Sequence, residues 1–230
     1  EAGVALTTLW LVRASNQYPG GRLADELSRK TVLVTSILIV ALGFILLSSA
    51  MWYSLFVLSL AIIGFGDGAF SVSLRTTVAD LFVEKRGKAF GIQGSFTGAA
   101  GVGAAGGAIL ILAIASWRHA FLPLAITLIG IAIGVHAWHR GDYVLKKPSI
   151  GIVDTLRRLG NNTSVRRVIL AYVFFSFAWQ GMIGFLPAFL QAEKSLGTTG
   201  ASIGFGLVYL VGMAAAPLAG AIGDQSGKLR

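Results

Sequence analysis

Two stretches of this chain carry one pattern. The first reads Gly21-Arg22-Leu23-Ala24-Asp25-Glu26-Leu27-Ser28-Arg29-Lys30, and the second reads Gly220-Ala221-Ile222-Gly223-Asp224-Gln225-Ser226-Gly227-Lys228-Leu229. Both follow Gly-x-(Leu/Ile)-small-Asp-x-x-(Ser/Gly)-basic, and they lie 199 residues apart. Each closes a long apolar segment. Six apolar segments separate the copies, counting the one that leads into the second. Self-similarity at a fixed period is the mark of a repeated architecture. Here it predicts a parallel duplication with a six-segment period.

Working outward, the sequence offers seven apolar runs of roughly the length needed to cross the hydrocarbon core. They are Val4–Gly20, Thr31–Ala50, Tyr53–Val78, Ala89–Ala115, Ala120–Trp138, Val168–Leu190 and Ala201–Ile222. In lipid only helices and closed barrels satisfy their own backbone. Barrel strands would read as alternating segments of about ten residues, and the runs do not alternate. The expected fold class is therefore an all-α polytopic membrane protein. The composition agrees, with 55% apolar residues, 13% charged residues and a mean hydropathy of +0.75 over 230 residues. Cysteine is absent, which excludes disulfide frameworks, thiolate metal sites and cysteine nucleophiles.

The net charge of +9 does not read as a nucleic-acid surface, because the bases stand in short blocks between apolar runs. Of the 19 Lys and Arg residues, 15 fall in one alternating set of loops: Gly21–Lys30, Asp80–Lys88, His139–Arg167 and Gly223–Arg230. The opposite set holds only Arg118 and Lys194, and Arg13 and Arg75 lie within apolar runs. The positive-inside rule places the first set in the cytoplasm. Within the long loop, Ile152, Val153, Leu156 and Leu159 stand at helical spacing against Asp154, Arg157 and Arg158, which predicts a short amphipathic helix on the membrane surface. The sequons at Asn161 and Asn162 read as chance matches in a cytoplasmic loop. The chain opens on Glu1 with no basic leader, so it reads as the middle of a longer protein.

These motifs resemble the major facilitator superfamily of secondary transporters, with twelve helices in two six-helix halves. The stretch from Gly21 is similar to that family's motif A, and the stretch from Gly220 to its counterpart in the second half. Gly64-Phe65-Gly66-Asp67-Gly68 resembles the Gly-rich fourth helix, Arg86-Gly87-Lys88 the following loop, and Trp117-Arg118 the turn before the sixth helix. The resemblance covers essentially the whole chain and implies helices 2 to 8. By that alignment, helix 1 and helices 9 to 12 lie outside it. The expected divisions are 1–138 for the N-terminal half, 139–167 for the central loop and 168–230 for the start of the C-terminal half.

The chain also departs from the family pattern. Glu26 and Gln225 stand where motif A has a base, and Ser28 replaces a glycine. Leu60 occupies the place of an arginine often found in the fourth helix. Val102-Gly103 stands at the Gly-Pro of the antiporter motif, so antiport is not implied. The resemblance implies that Gly21, Asp25, Arg29, Lys30, Gly220, Asp224, Gly227 and Lys228 latch one state of alternating access. Taken alone, the residues suggest that Asp25 and Asp224 cap the next helix or pair with a base. Arg29 and Lys30 would lie at the anionic lipid surface. A solvated turn is the plainer alternative.

Ionisable groups inside spans are expensive, about 2.5–3.5 kcal/mol at the centre on insertion scales, and are functional candidates for that reason. Asp67 lies about 21 Å from either end of its run at 1.5 Å per residue, and Arg13 and Arg75 about 12 and 9 Å deep. Arg13, Asn16 and Gln17 share one face by spacing, as do Asp67, Ser71 and Arg75. Tyr172, Ser176 and Gln180 form a third stripe, and the three stripes are expected to face a shared, open central cavity. Arg13, Asp67, Arg75 and Gln180 are the expected substrate or ion-coupling residues, with the arginines favouring an anion. Asp67 would be a coupling carboxylate or their counter-ion. In the alternative, Asp67 pairs with an arginine and only fixes helix packing.

The expected function is secondary transport of a small solute, with a coupling proton or ion and the lipid bilayer as partners and no nucleic acid. No cofactor or metal is expected, since His119, His136 and His139 lie near span ends without clustering. A Gly-x-Gly-x-x-Gly run at 101–106 falls inside an apolar helix and reads as a packing face, joined by Gly94/Gly98 and Gly103/Gly107. The competing readings are a transport-inactive receptor of the same fold and, further off, an intramembrane enzyme.

Overall fold

A computed structural model describes residues 2–114, 116–138 and 162–227. Among them there are seven α-helices and no strand. They are α1 (Ala2–Glu26), α2 (Arg29–Ser48), α3 (Tyr53–Leu81), α4 (Arg86–Ile114), α5 (Phe121–Trp138), α6 (Thr163–Ala192) and α7 (Thr198–Gly227), with a 3-10 turn at Trp117–Ala120 before α5. Six are long and apolar enough to cross a membrane. The seventh, α1, has the length at 25 residues but carries Arg13, Asn16 and Gln17 midway and Arg22, Asp25 and Glu26 at its end. The amphipathic helix expected within 149–159, and Lys228, lie outside the described residues.

The helices outrun the apolar runs that predicted them. α1 continues through the motif to Glu26, so only Leu27 and Ser28 separate it from α2. Charged residues in a last turn are compatible with helix once the polypeptide leaves the hydrocarbon, and hydropathy alone misses that turn. The same holds in α7, which runs through Gly220 and Asp224 to Gly227.

Contacts group the chain into two units: residues 1–90 with 111–149, and residues 91–110 with 150–230. In the first unit, α3 packs on α1 and α2, and α2 packs on α5. Glycine sets these approaches. A methyl group built on Gly68 would lie 2.5 Å from the Arg13 carbonyl oxygen, and one on Gly64 would clash with the Leu9 carbonyl. On the other side of α3, a methyl on Gly66 would lie 2.8 Å from the Ser36 oxygen of α2. Small residues let backbones touch where lipid offers no hydrophobic drive between helices. At one end of the unit, Phe44 stacks on Phe121 with centroids 5.9 Å apart, and Trp117 sits edge-on to Phe56 at 6.0 Å. Arg118 donates from Nε to the Ala50 carbonyl at 2.9 Å, satisfying an acceptor just past the end of α2.

In the second unit, α4 touches α7 from Gly91 to Ala105, and α6 packs on α7. Gly94 and Gly98 of α4 face Ala216 and Met213, as the expected packing face requires. Gly103 and Gly107 have open space around them, so that part of the expected face is corrected. The seam instead continues through Gly101, against the Tyr209 ring, to Ala105, against Gly206. Asn162 caps α6, accepting from the Ser164 and Val165 amides at 3.1 and 3.2 Å. That role gives a local physical reason for an asparagine there.

Candidate functional site

Arg13 and Asp67 meet halfway along their helices. Asp67 is 14 residues from either end of α3, and Arg13 is near the centre of α1. Arg13 Nε lies 2.8 Å from Asp67 Oδ2, with the two side chains 25% and 35% exposed. The close approach follows from the backbone. Gly64 and Gly68 flank Asp67 and press α3 onto α1 at Leu9 and Arg13. The Arg13 guanidinium also lies over the Trp10 ring, 4.8 Å from its centroid. Guanidinium on an aromatic face is worth about 0.5–2 kcal/mol depending on desolvation. The cation is therefore held from two sides while remaining partly accessible.

Asn16 departs from the expected open stripe. It is buried, and its Nδ2 donates to the Phe65 carbonyl of α3 at 2.5 Å. It fixes the register of α1 on α3 one turn from the ion pair. Ser71 bonds back to the Gly68 carbonyl within α3. Arg75 lies two turns beyond Asp67, exposed, and takes part in none of the ion pairs described. Gln180 is half-buried at the middle of α6, in the second unit. A pocket of about 600 Å³ in the first unit is lined by Leu9, Phe44, Leu47, Phe56, Leu60, Ile63, Trp117 and Phe121. None of those side chains carries charge, so this space offers an anion nothing.

The first motif copy is rearranged relative to expectation. Asp25 is exposed in the last turn of α1 and does not cap α2. Ser28 does, accepting from the Thr31 amide at 3.2 Å. Lys30 is buried rather than spread on a lipid surface. Arg29 pairs with Asp80, in the last turn of α3. Each is unfavourably placed on its own helix, a cation at an N-terminus and an anion at a C-terminus, so pairing across the helices offsets both. Arg22 and Glu26 pair within α1 at 3.1 Å. Gly21 stands inside α1 against Val72. In the second copy, Gly220 and Asp224 are likewise inside a helix, and Gly227 ends it.

Sequence reasoning misses Trp10, the Arg29–Asp80 pair and the Ser28 cap. Spacing gives no signal for the Arg29–Asp80 pair, because Asp80 reaches Arg29 from a separate helix, whereas Trp10 stands three residues before Arg13 on α1 and falls on the same face by helical spacing. Ser28 is legible as a helix-start residue, but comparison with the family motif presents it only as a replaced glycine.

Six helices long and apolar enough to cross a membrane, with a cation and a carboxylate paired halfway along two helices, are the architecture of an integral membrane protein. The sequence profile of the Major Facilitator Superfamily matches residues 1–230, and the chain belongs to that family. It is similar to a probable sulfoacetate transporter, SauU, of Cupriavidus necator, with 27% identity over 99% of this chain and 56% of the relative. It is also similar to an uncharacterized MFS-type transporter, YfiU, of Bacillus subtilis, with 32% identity over 47% of this chain and 22% of the relative. The chain thus spans little more than half the length of the first of these curated relatives.

Proposed function

We propose that the full protein is a secondary active transporter of a small organic anion, working by alternating access in the cell membrane, with the motif loops and central loop cytoplasmic. The observation that carries this reading is the Arg13–Asp67 pair, a cation and a carboxylate partly accessible at mid-helix in a chain of this family. The similarity to a probable sulfoacetate transporter supports an anion that combines sulfonate and carboxylate chemistry. The 15 bases on one set of loops support the orientation.

The pair suggests how coupling works. With Asp67 ionised, Arg13 already has its anion, and a second one would add uncompensated negative charge in a poorly solvated place. Proton binding to Asp67 releases the guanidinium for the substrate. Substrate and proton therefore favour each other's binding, which is the linkage a symporter needs. Arg75 and Gln180 would complete the anion's path. Gly21, Asp25, Arg29, Lys30, Gly220, Asp224, Gly227 and Lys228 would set the preference between states. The halves would divide at 1–138 and 168–230.

Uptake of sulfoacetate by the full-length protein in liposomes, with and without an inward proton gradient, tests the proposal. Gradient-driven accumulation lost in Arg13→Gln is expected. Undiminished accumulation in a normally folded Arg13→Gln protein would overturn it.

A further inference from the structure

The hydroxyl of Ser95 on α4 donates to the Met213 carbonyl of α7 at 2.8 Å. That carbonyl occupies a special place in its helix. Each α-helical carbonyl accepts from the amide four residues on. Four residues on from Met213 stands Pro217, inside α7, which has no amide hydrogen. Ser95 thus supplies, from another helix, the donor that proline withholds.

The surroundings bring this about. Gly91, Gly94, Gly98 and Gly101 line one edge of α4, spaced by three and four residues, and run antiparallel along α7. A methyl on Gly91 would lie 2.6 Å from the Ala216 oxygen and 2.9 Å from Pro217 Cα. One on Gly98 would lie 2.8 Å from the Tyr209 oxygen. The backbones touch on both sides of Ser95, so its short side chain reaches the orphaned carbonyl. The same hydroxyl lies 3.2 Å from the Gly91 carbonyl, four residues back in its own helix. It therefore has a fallback acceptor on α4, whereas the Met213 carbonyl has no donor four residues on.

We propose that Ser95 and Pro217 form a conditional brace, in which α7 keeps its backbone satisfied at the proline turn only while α4 lies against it. When the seam slides or opens, the hydroxyl turns back to Gly91. The Met213 carbonyl then has to find water or another donor, and α7 bends between residues 213 and 217. Proline kinks arise where the ladder loses a bond and a side chain or water inserts. The shape of α7 is thereby tied to its contact with α4. This inference goes beyond the transport proposal and is independent of what is carried.

The test uses the full-length protein in lipid nanodiscs and reads amide hydrogen exchange over residues 214–221 of α7. Ser95→Ala is expected to speed exchange there by about fivefold, the effect of losing one net hydrogen bond, while Ser95→Thr, which keeps the hydroxyl, leaves it unchanged. Pro217→Ala restores the missing amide donor, so Ser95→Ala in that background is expected to be silent. If Ser95→Ala fails to accumulate, recovery of folded protein by adding Pro217→Ala supports the brace, and no recovery overturns it. An unchanged exchange rate in Ser95→Ala, or an equal increase in the Pro217→Ala background, would also overturn it by reducing Ser95 to packing.

Discussion

Neutralising one member of the Arg13–Asp67 pair should destabilise the protein more than neutralising both. Asp67→Asn leaves a guanidinium at mid-helix, where an unpaired charge costs about 2.5–3.5 kcal/mol on insertion scales. Two features reduce that figure. The side chains retain 25% and 35% exposure, so partial hydration screens the stranded charge, and the Trp10 ring still faces the cation with about 0.5–2 kcal/mol. The expected loss is about 1–2 kcal/mol. Arg13→Gln strands a carboxylate with no aromatic support and should lose somewhat more. The double variant buries no charge and should fall within about 1 kcal/mol of the parent, as neutral replacements of ion pairs often do. The resulting coupling energy is about 1–4 kcal/mol, in and just above the range of about 0.5–3 kcal/mol seen for residues in contact. Equilibrium unfolding of the full-length protein and the three variants, in one detergent and at one pH, gives the cycle directly. Additive losses, with coupling below about 0.3–0.5 kcal/mol, would rule out an energetic pair, because two charges 2.8 Å apart would then be acting independently.

Other consequences follow from the same contacts. Gly68→Ala puts a methyl 2.5 Å from the Arg13 carbonyl and should cost about 1–3 kcal/mol through overpacking, whereas Gly103→Ala, in open space, should be neutral or stabilising by up to about 1 kcal/mol. Parallel thermal melts compare them. Ser28→Ala removes the α2 cap and should lower stability by about 1 kcal/mol, while Ser28→Asp should retain most of it. Asp80→Asn should cost no more than about 1 kcal/mol, since Asp80 is half-exposed and such pairs are screened. Its loss should shrink as salt is raised, which a salt series of the same melts would show.

Much of the fold was legible because lipid imposes a length on every span. Tyr53 and Trp138 were located as helix ends by hydropathy alone, and both are observed ends. The cytoplasmic ends were not legible in the same way. Gly21–Glu26 looks like a loop in composition, yet it is the end of α1, because helix formation persists where charged residues meet water. The site was half legible. Depth singled out Arg13 and Asp67, and the structure places them in contact. Helical spacing also put Asn16 beside Arg13 on an open stripe, but α1 turns Asn16 into the α3 interface instead. Which flank of a helix faces a neighbour depends on the neighbour, and a single sequence does not contain that. Asp80 was invisible as the partner of Arg29 for the same reason. Pro217 was visible throughout, but its significance appears only once Ser95 is seen against Met213.

If Arg13 serves either Asp67 or the substrate, anion binding must carry a proton with it. Calorimetric titration of sulfoacetate into the purified full-length protein, repeated in two buffers of different ionisation enthalpy, measures the protons exchanged on binding. Net proton uptake on anion binding is expected in the parent, with no proton uptake in Asp67→Asn and binding retained. Binding with no proton exchange in the parent, or proton uptake that persists in Asp67→Asn, would show that Arg13 does not alternate between the two partners.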